Sequence, residues 1–383
     1  MSTGFFSYNG IVTILLFCFL YFGYFSNFLF SGFDISEIVQ FGSLLLLLIF
    51  LFLKITILKI KNIILLFFIC LMLSALYLTT IVNEYFVFDL YKTLKFILIF
   101  FCCGIIGVFL AQGFNIEKLS LGFFLLSSLF AILTIFFGEE SSSGNSRVVL
   151  GDMNPIWNAR LLGVGLLYTL IQLFIFKKIN IIYILLALMS TYAILKTGSR
   201  GPIVGIVVAF VFISAYMNFN NIKKIFIGAF FAFSCFLACL YIIEKTNFFA
   251  NLNIFDLSSG RTLLYDFALN LFFSNPFGIG LGGFDREFNV EGLAYPHNIF
   301  LESLVETGLL FTFGFFVLIL YAFNRAVRVT QTNFSYFVFL FSLLIYSFVN
   351  AMFSGDLTSP KELYILIFFF LFTFKNKVSH KYG

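Results

Sequence analysis

Apolar runs of close to twenty residues recur from one end of this chain to the other, and this repetition limits the fold more than any motif does. A run of about 20 apolar residues crosses a hydrocarbon core of about 30 Å as an α-helix. A lone helix can do so because it satisfies its own backbone groups. Only 11% of the residues are charged and 61% are hydrophobic, whereas soluble domains carry roughly 25% charged residues. The chain therefore reads as an all-α polytopic membrane protein, with residues 1–383 as a single integral membrane domain. Spans are expected near 11–30, 38–53, 62–81, 93–111, 120–137, 155–176, 180–195, 202–217, 225–243, 298–322, 334–352 and 363–375, the last being the shortest. That makes about twelve transmembrane helices, of which 180–195, 202–217 and the last fall short of the length a bilayer needs.

Charge orients these spans. With the N-terminus in the cytoplasm, the inner segments hold Lys54, Lys59, Lys61, Lys118, Lys177, Lys178, Lys223, Lys224, Arg325, Arg328, Lys375, Lys377 and Lys381, and one acid, Glu117. Positive charge is retained on the cytoplasmic side of membrane proteins. Both termini are thus placed inside, and most acids fall on the outer face. The absence of Lys or Arg before Lys54 argues for a retained first span rather than a cleaved signal. The six cysteines lie in apolar runs and read as packing residues. Cys235 and Cys239 share a helix face, but no His or acid adjoins them, so no metal site is expected there. No cofactor and no nucleic-acid partner is expected.

Helix starts give a second line of evidence. Asn154-Pro155, Gly201-Pro202, Ser359-Pro360 and Pro296-His297-Asn298 all fall on the outer side. Proline suits the first helical turn and Asn or Ser caps it. The outer face therefore gathers helix N-termini, which favour anions. The outer loop from about 244 to 297 is the longest, and loops of such length are mostly functional or disordered. Its apolar content argues against disorder. Thr262, Asp266 and Asn270 recur every fourth residue among apolar neighbours, which predicts an amphipathic helix.

The same face holds the chemistry. Arg200 and Arg261 offer forked guanidinium groups suited to two phosphate oxygens at once. The competing reading is snorkelling to lipid headgroups. Arg147, Arg160, Lys196, Glu302 and Glu306 are further substrate-binding candidates; Arg147 also fits a solvated loop, and Arg160 lies a turn inside its span, where charge is costly. The run Gly278–Gly283 spells G-x-G-x-x-G but lacks the βαβ context of a dinucleotide site. It reads as a sharp turn or as an anion nest of backbone amides. His297 is the one histidine away from the tail and can take a proton near neutral pH. Glu302 and Glu306 follow within two turns, placed to orient His297 or to pair with an arginine.

The ordered set Gly198-Ser199-Arg200-Gly201, Ser259-Gly260-Arg261, Asn275-Pro276-Phe277-Gly278-Ile279-Gly280, Pro296-His297-Asn298-Ile299-Phe300-Leu301-Glu302 and Glu306-Thr307-Gly308 resembles the O-antigen ligase and polymerase superfamily. The resemblance covers roughly residues 150–320 by motif and the whole chain by hydropathy. It implies a fold like that of lipid-donor glycosyltransferases, active at the outer face of the bacterial inner membrane. The implied donor is a glycan on undecaprenyl diphosphate. The implied acceptor is lipid A-core for a ligase, or another lipid-linked repeat for a polymerase. By this resemblance Arg200 and Arg261 hold the diphosphate and His297 serves the acceptor hydroxyl. Ligases are similar in having Gly, Thr or Tyr three residues after the Gly308 position, where this chain has Phe311. That departure leaves ligase and polymerase both open.

The rival class is a flippase of lipid-linked oligosaccharide, for which paired broken helices and polar residues near the midplane are the expected marks. This chain instead concentrates its polar residues in one outer loop. No outer loop offers a carboxylate pair with His at metal-ligand spacing, and two arginines already supply fixed positive charge, so a metal-independent reaction is expected. The topology is directly testable. A single cysteine at Asn289 or Ser142 is expected to react with an impermeant thiol reagent from outside intact cells, and one at Lys177, Lys223 or Arg325 is not. Labelling at position 223 without labelling at 289 would reverse the orientation.

Overall fold

The computed structural model describes residues 8–22, 36–52, 60–82, 89–140, 147–150, 154–217, 261–288 and 295–373. The expected span at 225–243 and the first part of the long outer loop lie outside the described residues, as do the basic tail, Ser142, Asp152 and Asn289.

In chain order the helices are α1 (Tyr8–Phe17, continued by a π-helical turn Cys18–Phe22), α2 (Ser36–Phe52), α3 (Ile60–Leu78), α4 (Leu90–Gly113), α5 (Ile116–Phe137) and α6 (Pro155–Leu170, with a π-helical turn Ile171–Ile175). They continue with α7 (Ile181–Lys196), α8 (Arg200–Met217), α9 (Arg261–Ser274), α10 (Gly283–Phe288), α11 (Ile299–Glu302), α12 (Gly308–Thr332), α13 (Phe334–Phe353) and α14 (Lys361–Phe372). A two-residue antiparallel ladder pairs Glu139 with Val149 and Glu140 with Val148. Among the described residues, six helical stretches are long and apolar enough to cross a membrane: Leu90–Gln112, Ile116–Phe137, Pro155–Ile175, Arg200–Met217, Ile299–Thr332 and Phe334–Phe353. The remaining apolar helices are shorter.

Two of the four sequence-based starts hold as capped starts, whereas α8 begins at Arg200, ahead of Gly201-Pro202, and α14 begins at Lys361 with Pro360 at the cap position and no side-chain cap. Asn154 accepts from the Ile156 amide at 2.9 Å with Pro155 at the first helical position, and Asn298 accepts from the amides of Phe300 and Leu301. Two ends differ. The expected helix 298–322 runs on to Thr332 and is interrupted by a π-helical turn at Ser303–Thr307. The shortest expected span, 363–375, becomes the 12-residue α14, which is buried along nearly its whole length.

The chain forms two units. The first comprises α1, α2, α5 to α8 and most of α13. At its centre α6 packs on α5, α7 and α8. Small residues admit a large one: Gly163 lies against the Tyr346 hydroxyl and Gly205 against the Tyr346 ring. The Tyr346 hydroxyl donates to the Arg160 carbonyl at 2.8 Å, and the Arg160 guanidinium donates to the Asn350 carbonyl at 2.7 Å. The same guanidinium stacks over the Trp157 ring at 4.4 Å. This reciprocal bonding locks α6 to α13.

The second unit comprises α3, α4, α9 to α12 and α14. Its most extensive contact is α4 along α14. Gly104 and Gly107 make that approach possible; a Cβ on Gly107 would lie 2.6 Å from the Ile365 carbonyl oxygen and 2.9 Å from the Phe369 nitrogen. Membrane helices associate through such small-residue faces because apolar burial alone gains little in lipid. Phe100 packs edge-on to Tyr364 and Phe368 at 5.0 and 5.3 Å. The expected amphipathic helix is α9. It buries Leu264 and Ala268 against Ile279, Phe284 and Val305, and leaves Asp266 and Asn270 exposed. Gly107→Val is expected to lower the stability of purified protein by about 1–3 kcal/mol through overpacking, measured as thermal unfolding in one fixed detergent. An unchanged midpoint would mean that the α4–α14 approach is looser than described.

Candidate functional site

The second unit holds His297, Glu302 and Glu306 around a broken helix, and Arg261 belongs to the same unit. Regular helix stops at Glu302, a π-helical turn covers Ser303–Thr307, and Gly308 follows at φ +76°. Such a break frees carbonyls that need new donors. The Gly-rich run supplies them. The Ile279 amide donates to the Val305 carbonyl and the Gly280 amide to the Glu306 carbonyl, both at 2.9 Å, while the Leu309 amide donates to the Pro276 carbonyl at 3.0 Å. Gly278, Gly280 and Gly282 all sit near φ +90°, which only glycine adopts without strain. A Cβ on Gly278 would also lie 2.9 Å from the Glu306 carbonyl oxygen. These bonds and backbone angles bear out the reading of the run as a sharp turn.

Glu302 and Glu306 are fully buried, and their cationic partner is Lys92. The Lys92 ammonium lies 3.2 Å from Glu302 Oε1 and 3.0 Å from each Glu306 carboxylate oxygen. Among the described residues the cation paired with both acids is this lysine, which stands in the first turn of α4 and reaches both. The turn is itself fixed: the Asp89 side chain accepts from the Lys92 amide at 3.0 Å, and Gly282 leaves the space that the Asp89 side chain occupies. Within the break, hydroxyls of Ser303, Thr307 and Thr312 bond one another at 3.0 and 2.7 Å. Lys92 was not singled out by sequence reasoning. Its partners lie 210 and 214 residues away, and a lysine at the outer end of a span reads as a headgroup contact. The one available signal was an acid-x-x-lysine start at Asp89.

His297 stands directly before this helix start. It is half-buried, lies at φ +57°, and packs its ring edge-on to Tyr295 at 4.5 Å. A non-glycine residue at positive φ stores strain, and such strain gathers at functional sites. Arg261 is the first residue of α9 in the same unit. Phe311 is a core residue, stacked with Phe315 and edge-on to Phe96.

The other candidates belong to the first unit. Arg200 is exposed as the first residue of α8, after a turn in which Gly198 has φ +63°. Lys196 lies over the Tyr192 ring at 5.4 Å. Arg147 is half-buried just before the second strand. Arg160 is only 6% exposed, and one guanidinium nitrogen donates to the Asn350 carbonyl.

The apolar helices, the glycine-mediated approaches and the charges gathered at one broken helix define a multi-pass α-helical membrane protein. Residues 184–318 match the family model described as O-antigen ligase. The matched stretch holds Arg200, Arg261, the Gly278–Gly283 run, His297, Glu302, Glu306 and Gly308, and the resemblance to the O-antigen ligase and polymerase superfamily stands on it. Members of that family are glycosyltransferase-like membrane enzymes acting on lipid-linked glycans. No curated protein matches the chain.

Gly308→Ala is expected to destabilise the protein by about 1–3 kcal/mol, since its φ and the Phe277 carbonyl beside it both exclude a side chain. Thermal unfolding of the purified variant checks this, and a wild-type midpoint would count against the close approach of the turn to the helix break.

Proposed function

We propose that this protein is a metal-independent membrane glycosyltransferase of the O-antigen ligase or polymerase type. It acts at the outer face of the inner membrane, within the single membrane domain expected from the sequence. It transfers a glycan from undecaprenyl diphosphate to lipid A-core or to another lipid-linked repeat. The observation that carries this reading is His297, held at positive φ ahead of an Asn298-capped, ion-paired helix start inside the stretch that matches the family.

The chemistry follows from the groups present. The acceptor hydroxyl oxygen attacks the anomeric carbon, and the bond from that carbon to the diphosphate oxygen breaks. His297 takes the hydroxyl proton as general base. The diphosphate leaves with the bonding electron pair, and Arg261 neutralises it in bidentate fashion. Arg200 is assigned to the diphosphate by the family resemblance alone, and Arg147 and Lys196 to the substrate through their charge. Arg160 is kept as a substrate-binding candidate through its charge. Glu302 and Glu306 serve the site by holding the His297 helix start.

The interrupted helix with buried charge also suits a transporter of the same lipid-linked glycan, since discontinuous helices line transport sites. Purified protein given lipid-linked donor and acceptor separates the two readings, because only a transferase forms a new glycosidic linkage. His297→Ala is expected to lower transfer by about 10²–10⁴-fold while sparing donor binding. Arg261→Lys is expected to lose most activity although the charge is kept. Restoration by Mg²⁺ or Mn²⁺ of activity lost in EDTA would overturn the metal-free mechanism, and an active His297→Ala enzyme would overturn the base assignment. Deletion separates the acceptors. Loss of a polymerase leaves lipid A-core capped with one repeat, and loss of a ligase leaves bare core beside lipid-linked polymer.

A further inference from the structure

The helix start that presents His297 is too short to hold itself. Ile299–Glu302 is a single turn, and the π-helical break behind it interrupts the regular ladder. With its π-helical turn it forms only nine helical residues before Gly308 breaks the backbone at φ +76°, and so short a helix is marginal in itself. It is fixed from three sides within the second unit. Asn298 caps it from the front, the Gly-rich turn bonds its freed carbonyls, and Lys92 grips both of its acids. The first two supports lie in the matched stretch, whereas Lys92 lies well before it.

We propose that Lys92 is a positioning residue for His297, acting through Glu302 and Glu306. Its three N–H donors meet three carboxylate oxygens, Glu302 Oε1 and both oxygens of Glu306, at 3.0–3.2 Å. Lys92 itself does not move freely. Its amide is held by Asp89, and its helix lies along α14 through Gly104 and Gly107. The Glu302 amide donates to the Asn298 carbonyl at 2.9 Å, so anchoring the Glu302 side chain anchors the turn that starts one residue after His297. Without the lysine, two carboxylates face each other in the interior with no cation bonded to them, and the turn has reason to rearrange. The strained φ of His297 needs a surrounding structure that over-determines it. The Lys92 bridge is the part of that structure contributed by a distant helix.

This inference rests on the transferase reading, so its test has one arm that does not depend on it. In the activity arm, Lys92→Met is expected to lower kcat by about 10²-fold, the loss that misplacing a reacting group by about 1 Å produces. Donor KM is expected to change far less, and Lys92→Arg is expected to regain part of the loss. In the structural arm, His297→Cys is placed in a background with the native cysteines replaced by serine, and its reaction rate with an impermeant maleimide is measured. Lys92→Met is expected to raise that rate, and Lys92→Arg to bring it back. Glu302→Gln, which leaves Lys92 and Glu306 as a neutral pair, is expected to change the rate in the same direction and by less. It is the variant read if Lys92→Met fails to accumulate. An unchanged labelling rate in the folded variants would overturn the proposal whatever the protein transfers. Changed labelling with no transferase activity in the unmodified protein would overturn the transferase reading and leave the positioning role standing. A loss of kcat that Lys92→Arg does not relieve, with labelling unaltered, would also count against it.

Discussion

Two buried carboxylates cannot share a low-dielectric interior without a cation and hydrogen-bond donors, and the second unit is arranged around that requirement. Lys92 provides the cation for Glu302 and Glu306. Several features that look separate follow from this one need. The glycines of the 278–283 run take positive φ so that their amides can turn inward. The helix carrying the acids opens into a π-helical turn, and its freed carbonyls find donors in the same glycine run. Asp89 caps α4 so that Lys92 stands in its first turn. Removing any one of these groups leaves another buried polar group without its partner.

The first unit solves a comparable problem with one arginine. Arg160 sits a turn inside α6, and its charge is accommodated by the Trp157 ring and the Asn350 carbonyl. Tyr346 completes the lock by donating back to the Arg160 carbonyl. Glycines at 163 and 205 open the space for that tyrosine. Intramembrane charge is a reasonable pointer to function. Here the same charge also ties α6 to α13, so a fall in activity on changing Arg160 would mix folding with substrate contact.

The placement of His297 suits acid–base chemistry better than a lone histidine on a helix face would. An imidazole used as a base must be held within hydrogen-bond reach of one proton. A residue at the junction between a strained loop and an Asn-capped helix has little freedom of backbone. Its packing on Tyr295 limits the ring as well. Behind it, the hydroxyls of Ser303, Thr307 and Thr312 bond one another across the helix break. Such a break is tolerated in a membrane protein only where protein or water satisfies the exposed backbone.

Much of the architecture was legible in the sequence because a bilayer leaves few choices. Apolar length alone called for helices, and Asn154-Pro155 and Pro296-His297-Asn298 marked two of their starts because capping is a local interaction. The period of Thr262, Asp266 and Asn270 likewise announced α9, since an amphipathic repeat needs only neighbours four residues apart. The ordered motifs around Arg200, Arg261, His297 and Gly308 pointed to the family that residues 184–318 match. What the sequence did not disclose depends on contacts between distant residues. The burial of the 12-residue α14 is decided by Gly104 and Gly107, which lie on another helix. The break at Ser303–Thr307 has no proline to mark it and exists because the Gly-rich turn can bond the carbonyls it frees. The ion pair of Lys92 with Glu302 and Glu306 joins residues more than two hundred positions apart, so no local pattern encodes it. Helix, cap and amphipathic face are set by neighbours along the chain; the partner of a buried charge is set by which helices the packing brings side by side.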